Sequence, residues 1–213
     1  MADMLTEQLH RAQRVLPSRV LAPLAAMAFA LTLGACADKP TVQRLPELSF
    51  TNEPAINLDV AQMEIVSDFQ PTGQPPHYEH LMPVSPEAAA IRWAKDRLHP
   101  VGRTGYARVV IKDAKVIKTD LRTDKSLGGM FKDEQAERYQ ATLEVTVQIQ
   151  DERHMVLGDV TARATRLRSL AEDVTVNERE RAMYDISDSM SHDIDRQMDG
   201  LIHTYLSRWV VLQ

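Results

Sequence analysis

A single cysteine, Cys36, excludes an intrachain disulfide framework and any metal site built from cysteines alone. Proline is missing from the second half: all 11 prolines lie at or before Pro100, which leaves the rest free for long uninterrupted elements. There is no excess of positive charge. Lys and Arg number 25 against 30 Asp and Glu, a formal charge of −5, which argues against a nucleic-acid binder. The chemistry-bearing motifs are also missing. No Gly-x-Ser-x-Gly sequence occurs, and Gly128-Gly129 lacks the Lys-Ser/Thr that completes a phosphate loop. We therefore expect a protein that is not an enzyme, with no cofactor, no bound metal and no nucleic-acid partner. What remains, 44% hydrophobic and 26% charged residues over 213 positions, is ordinary globular composition.

The N-terminal segment carries Arg11, Arg14 and Arg19, then an apolar run from Val20 to Leu33 broken only by Pro23 and Thr32. A stable membrane-spanning helix needs about 20 apolar residues, so this shorter run does not read as one. A basic region, a short apolar region and then small residues have the layout of a secretory signal peptide. The small residues are Leu33-Gly34-Ala35-Cys36. This tetrapeptide resembles the lipobox of bacterial lipoproteins: an aliphatic residue, two small residues, then cysteine. The resemblance implies that the Cys36 sulfur receives a diacylglycerol and that cleavage makes Cys36 the mature N-terminus. One acyl chain holds a protein to a bilayer only marginally, so several chains on one residue would give a firm anchor. In lipoproteins of two-membrane bacteria, Asp after the cysteine favours the inner membrane. Ala37 stands there instead, which implies the periplasmic leaflet of the outer membrane. The alternatives are an ordinary thiol beyond a conventional cleavage site, or a core helix. The long basic region also leaves Met4 as an alternative start to Met1. Loss of residues 1–35 removes three basic and two acidic residues, so the mature charge is 22 − 28 = −6.

The domain organisation expected is a signal peptide over 1–35, an acylated cysteine and flexible tether over 36–55, and a single α+β domain over 56–213. Ile56 to Phe69 reads as a strand with a bulge near Ala61, where the apolar parity shifts. Residues 70–84 form a proline-rich loop. Ser85-Pro86-Glu87 starts a helix whose stripe is Ala90, Trp93, Ala94, Arg97 and Leu98, with Arg97 at its rim and Pro100 as its stop. Tyr106 to Leu121 reads as a second strand with a parity change at Asp113. Tyr139, Ala141, Leu143, Val145, Val147 and Ile149 alternate with polar residues, the pattern of a half-buried strand. A hairpin leads to the next strand, Val156 to Thr165. Thr175-Val176-Asn177-Glu178 is a capping box opening a long helix that reaches Trp209, with an apolar stripe from Met183 to Tyr205. Gly200 inside it marks a kink or a close approach. The order β-α-β-β-β-α predicts two helices packed on one face of a four-stranded mixed sheet, with the last three strands antiparallel. A lipobox, a short tether and this element order are similar to several small periplasmic lipoproteins, namely the lipopolysaccharide-assembly lipoprotein and the auxiliary lipoproteins of ABC-type lipid transporters. Those families are non-enzymatic. Only Cys36 can be matched to a functional residue of theirs.

Five groups of side chains merit a functional reading. His77-Tyr78-Glu79-His80 has metal-like residues but lies in a loop, where solvated histidines are the simpler expectation. Asp185, Asp188, His192, Asp195 and Asp199 share one helix face, expected to be solvated, with a weak cation site or a dock for a basic partner as the alternatives. Arg163, Arg166, Arg168, Arg179 and Arg181 read as surface ion pairs, or as contacts for lipid phosphates or for the acidic helix. Met63, Met183, Met190 and Met198 read as core, or as the lining of a ligand pocket between helices and sheet. The segment 122–137 is long for a strand connection. Its Leu127, Met130 and Phe131 beside two glycines suggest a tip that meets a partner or lipid, or one that folds back on the core. Together these point to a non-catalytic envelope lipoprotein with a protein partner, possible roles being in lipid or lipopolysaccharide transport. The second reading is a lipid or small-ligand carrier, and the third a metal-dependent envelope enzyme.

Overall fold

The computed structural model describes residues 44–121 and 135–212. Seven strands and two helices follow in order: β1 (Ile56–Leu58), β2 (Gln62–Ser67), α1 (Pro86–Arg97), β3 (Leu98–Pro100), β4 (Tyr106–Asp113), β5 (Val116–Asp120), β6 (Gln135–Gln150), β7 (Val156–Ala171) and α2 (Val176–Tyr205). The architecture is α+β. The main sheet has five strands, with β2 parallel to β4, and β4, β5 and β7 antiparallel to β6. Because β4 and β5 occupy successive stretches of the same edge of β6, the sheet is four strands wide, as the element order predicts. The parity change at Asp113 is the junction between them. There the Asp113 carboxylate accepts the Lys115 amide at 3.1 Å and turns the chain.

The alternation in β6 does what it predicts. Tyr139, Ala141, Leu143, Val145, Val147 and Ile149 are buried and join Ala107, Val109, Ile111, Val160, Ala162 and Ala164 on one face. Both helices cover that face. Ala89, Trp93 and Ala94 of α1 and Met183, Met190, Ile194 and Met198 of α2 belong to the same core cluster. Each such fully buried large aliphatic side chain contributes about 1.5–3 kcal/mol. The methionines are therefore core rather than the lining of a ligand space. Among the described residues the opposite sheet face carries no helix layer. Its exposed rows pair Arg108 with Glu64 (3.7 Å) and Arg163 with Glu144 (3.5 Å).

Both helix starts form as read. Ser85 Oγ accepts the Ala88 amide, and Thr175 and Glu178 complete a reciprocal capping box. The helix ends differ. The backbone of α1 leaves the helix at Leu98 (φ −103°, ψ 119°), two residues before Pro100, whose ring and missing N–H end the helical run. Leu98–Pro100 then pairs in parallel with β1, and Leu98 is buried as a strand residue. The expected strand over Ile56–Phe69 divides between two sheets: β1 belongs to this two-stranded sheet and β2 to the main one. Between them Val60 N–H turns back to Leu58 C=O, and Ala61 N–H binds the carbonyls of Thr104 and Gly105. Gly102 packs so tightly against this turn that a Cβ would sit 2.5 Å from Val60 N. α2 stops at Tyr205, which is exposed, and a 3-10 turn follows over Ser207–Trp209. At Gly200 a Cβ would meet nothing within 4 Å, so no close approach requires that glycine.

Packing also begins upstream of residue 56. Leu48 and Phe50 are buried and Leu45 packs against the core. Phe50 N–H donates to Asp96 at 3.0 Å and its ring lies 4.9 Å from that of His192, so residues 45–50 run over the helices. The part of the expected tether from Leu45 to Ala55 is thus attached to the body.

Candidate functional site

The sequence-derived contact residues, lipidated Cys36 and the apolar tip of Leu127, Met130 and Phe131, lie outside the described residues. The acidic face of α2 is divided by the structure. Asp185, Asp188, His192 and Asp199 are at least partly exposed, and His192 Nε2 lies 3.7 Å from Asp188 Oδ1. Asp195 instead turns inward, 6% exposed, between the helices. Its Oδ1 accepts Arg97 Nε at 2.5 Å and Trp93 Nε1 at 2.8 Å, while Arg97 Nη2 donates to Asp199 at 2.9 Å. Arg97 is 2% exposed, not at a rim. Its charge is held inside because this carboxylate compensates it. The expectation of a solvated carboxylate at Asp195 is corrected on this ground. The methylene stem of Arg97 lies on the apolar stripe of α1, and its head meets a carboxylate 98 positions away.

The His77–His80 segment converges only in part: His77 Nδ1 lies 3.4 Å from Glu79 Oε1. Glu79 is 3% exposed and Oε2 accepts the Val116 amide at 3.0 Å, whereas His80 is exposed. Among the described residues no three His, Cys, Asp or Glu side chains are grouped to hold a metal ion.

A polar cluster forms at the end of the sheet nearest this segment. Lys118 (β5), Glu137 and Tyr139 (β6) and Arg179 (α2) meet there. Lys118 Nζ lies 2.9 Å from Glu137 Oε1, Tyr139 Oη donates to Glu137 Oε2 at 2.9 Å, and Arg179 Nη1 donates to both Tyr139 Oη (2.8 Å) and Glu137. The strand parity puts Glu137 and Tyr139 side by side, and α2 begins close by, so Arg179 in its first turn reaches both. Burial pushes the Glu137 carboxyl up, but hydrogen bonds from Lys118, Arg179 and Tyr139 outweigh it and hold the group below its ordinary value. Burial and the neighbouring Glu137 push the Tyr139 phenol well above its ordinary range. A buried phenol held in its neutral form between an acid and a guanidinium braces the site. It is not set up to act as a base or nucleophile.

Beside the cluster lies an open cleft of about 510 Å³ between the proline loop and β5. Pro75, Pro76, Tyr78 and Leu81 make its apolar walls, and His77, His80, Lys118 and Asp120 line the remainder. Tyr78 packs edge-on against Tyr139 at 4.9 Å, which links the cleft to the cluster. The Lys118 charge at the rim is already engaged by Glu137 and by Asp120 at 3.1 Å. The cleft therefore suits an apolar group better than an anion. Sequence reading named Arg179, His77 and His80 but missed this grouping, because its members come from three elements and a loop.

No helix among the described residues is long and apolar enough to cross a membrane. No family model matches the chain, and no curated protein matches it in sequence. Among solved structures, the chain is similar to a minor lipoprotein from Acinetobacter baumannii (14% identity, TM-score 0.37, covering 71% of this chain and 96% of that one). It is also similar to a neuraminyllactose-binding haemagglutinin homologue from Helicobacter pylori (7% identity, TM-score 0.39, 70% and 87% covered). A third similarity is to PelC from Paraburkholderia phytofirmans, a dodecamer in its crystals (13% identity, TM-score 0.26, 66% and 88% covered). At these identities and superpositions, none carries a function across.

Proposed function

We propose that this chain is a lipid-anchored, non-catalytic accessory protein of the bacterial envelope, held at the periplasmic face of the outer membrane through Cys36. The observation that carries the reading is the sequence Leu33-Gly34-Ala35-Cys36, which places the sole cysteine directly after a basic and apolar leader. The body that follows supports it. Of its buried charged groups, Arg97 and Asp195 are tied to each other and to Trp93 and Glu79 accepts the Val116 amide, and its phenol Tyr139 is locked between Glu137 and Arg179. These contacts stabilise a scaffold. The partly apolar cleft at Tyr78 and Leu81 gives such a protein a small contact surface for a partner in an envelope assembly.

Metabolic labelling tests the anchor. Cells fed radiolabelled palmitate should label the wild-type chain and leave Cys36→Ser unlabelled and released from the envelope fraction. An unlabelled wild-type chain overturns the reading. Affinity recovery from solubilised membranes tests the accessory role, which a chain always recovered free of other envelope proteins would contradict.

A further inference from the structure

β7 forms one margin of the main sheet. Among the described residues its 16 positions pair only with β6. Two side-chain contacts identify the backbone groups that point outward. Arg163 C=O accepts Gln197 Nε2 at 3.2 Å, and Thr165 C=O accepts Arg166 Nη1 at 2.9 Å. Backbone groups alternate in direction along a strand, so Asp159, Thr161, Arg163 and Thr165 turn their N–H and C=O away from β6. Their side chains are exposed on the outer sheet face, whereas Val160, Ala162 and Ala164 are buried. Beyond this stretch the margin stays open, with two grooves of about 280 and 480 Å³ between residues 166–171 and the side chains of α2. A long unpaired margin of this kind is a template for another strand.

We propose that β7 pairs antiparallel with β7 of a second copy of this chain, with the twofold axis at Thr161. The charge pattern selects both occupant and register. With the axis at Thr161, positions that face each other sum to twice 161, so Asp159 faces the partner's Arg163 and Arg163 faces the partner's Asp159. An axis at Asp159 opposes two carboxylates, and one at Arg163 opposes two guanidinium groups. An axis at Ala162 pairs neither charge. Like charges directly opposite are destabilising and unlike charges stabilising, which leaves Thr161. The pairing extends rows already present in one chain. Arg163 meets Glu144 on its β6 side and the partner's Asp159 on the other, and Thr161 Oγ1 already lies 2.8 Å from Thr146 Oγ1. At the ends of the paired segment sit Leu157 and Leu167, 53% and 63% exposed, and this register brings each beside the other copy's outer face. The Gln197 and Arg166 donors occupy the places that the partner's amide groups take, and the exposed Gln197 side chain is free to swing out. The pairing does not rest on the lipid anchor.

Disulfide mapping in the full chain, purified in detergent, tests it. Hydrogen-bonded antiparallel partners have Cα atoms about 5.5 Å apart, within disulfide reach. Under mild oxidation Thr161→Cys should form a dimer of twice the mass, above the background of the parent chain with Cys36. Asp159→Cys alone and Arg163→Cys alone should not, while a mixture of the two should. Arg163→Asp should lower the Thr161→Cys yield about tenfold, as two attractive pairs become repulsive, and adding Asp159→Arg should restore it. Circular dichroism on each variant confirms that it is folded. No Thr161→Cys dimer above background, an Asp159→Cys dimer of equal yield, or a charge exchange that fails to restore the yield would each overturn the proposal.

Discussion

Replacing Asp195 by alanine should cost far more stability than replacing its exposed neighbours on the same face of α2. The carboxylate lies 2.5 Å from Arg97 Nε and 2.8 Å from Trp93 Nε1, and Arg97 is almost fully enclosed. Breaking a buried ion pair leaves an uncompensated charge, a cost of about 3–5 kcal/mol. Trp93 would also lose its acceptor, a further ~1–3 kcal/mol for an unmet buried N–H. The two costs do not simply add, because both groups share one oxygen and Asp199 still holds Arg97 Nη2 at 2.9 Å. A total of about 3–5 kcal/mol follows, which lowers the thermal midpoint by roughly 10 °C in a domain of this size. Urea unfolding followed by circular dichroism and tryptophan fluorescence should show a reduced midpoint with an unchanged slope. Asp199→Ala, at a half-exposed partner, should cost about 1 kcal/mol or less. The double variant Arg97→Met/Asp195→Leu should recover most of the loss, since apolar replacements remove the charge as well as its partner. An Asp195→Ala cost below about 1 kcal/mol, or one equal to that of Asp199→Ala, would refute the view that these helices are joined through a buried charge.

Three further outcomes can be measured. Gly200→Ala should stabilise the chain by about 0.5–1 kcal/mol, because the position is helical and nothing meets the added methyl, whereas Gly102→Ala should destabilise it by driving a Cβ into the backbone of Val60; parallel thermal melts compare them. Thr175→Ala should cost about 1 kcal/mol by opening the capping box, read from the urea midpoint. Glu137 sits below its ordinary pKa of 4.5 in the folded chain, so its contribution is present above that pH and is lost as pH falls through the lower folded value. Stability measured from pH 6 downward should therefore fall more gently in Glu137→Gln than in the wild type, and an identical acid slope would show that the cluster does not hold the carboxylate.

Locally encoded features were legible in the residues. The capping box at Thr175 and the Ser85-Pro86 start act within one turn, and the six-fold alternation from Tyr139 to Ile149 declares a sheet face without help from elsewhere. What sequence reading missed depends on partners far along the chain. Ile56–Phe69 carries one apolar rhythm with a slip, and only the positions of Leu98–Pro100 and β4 decide that its halves join different sheets. Asp195 shares its spacing with exposed carboxylates, and only Arg97, 98 positions earlier, draws it inward. Phe50 lies among prolines and polar residues, and Asp96 and His192 are what recruit it to the core. The polar cluster was hidden for the same reason. Tyr139 reads as one more apolar residue of β6 until Lys118 and Arg179 arrive from other elements.

The anchorage of residues 45–50 across the helices bears on the proposed lipid anchor at Cys36. Only nine positions separate Cys36 from Leu45. Fully stretched, such a leash reaches about 30 Å. With acyl chains on Cys36, as proposed, such a leash would keep the folded body within that reach of the bilayer.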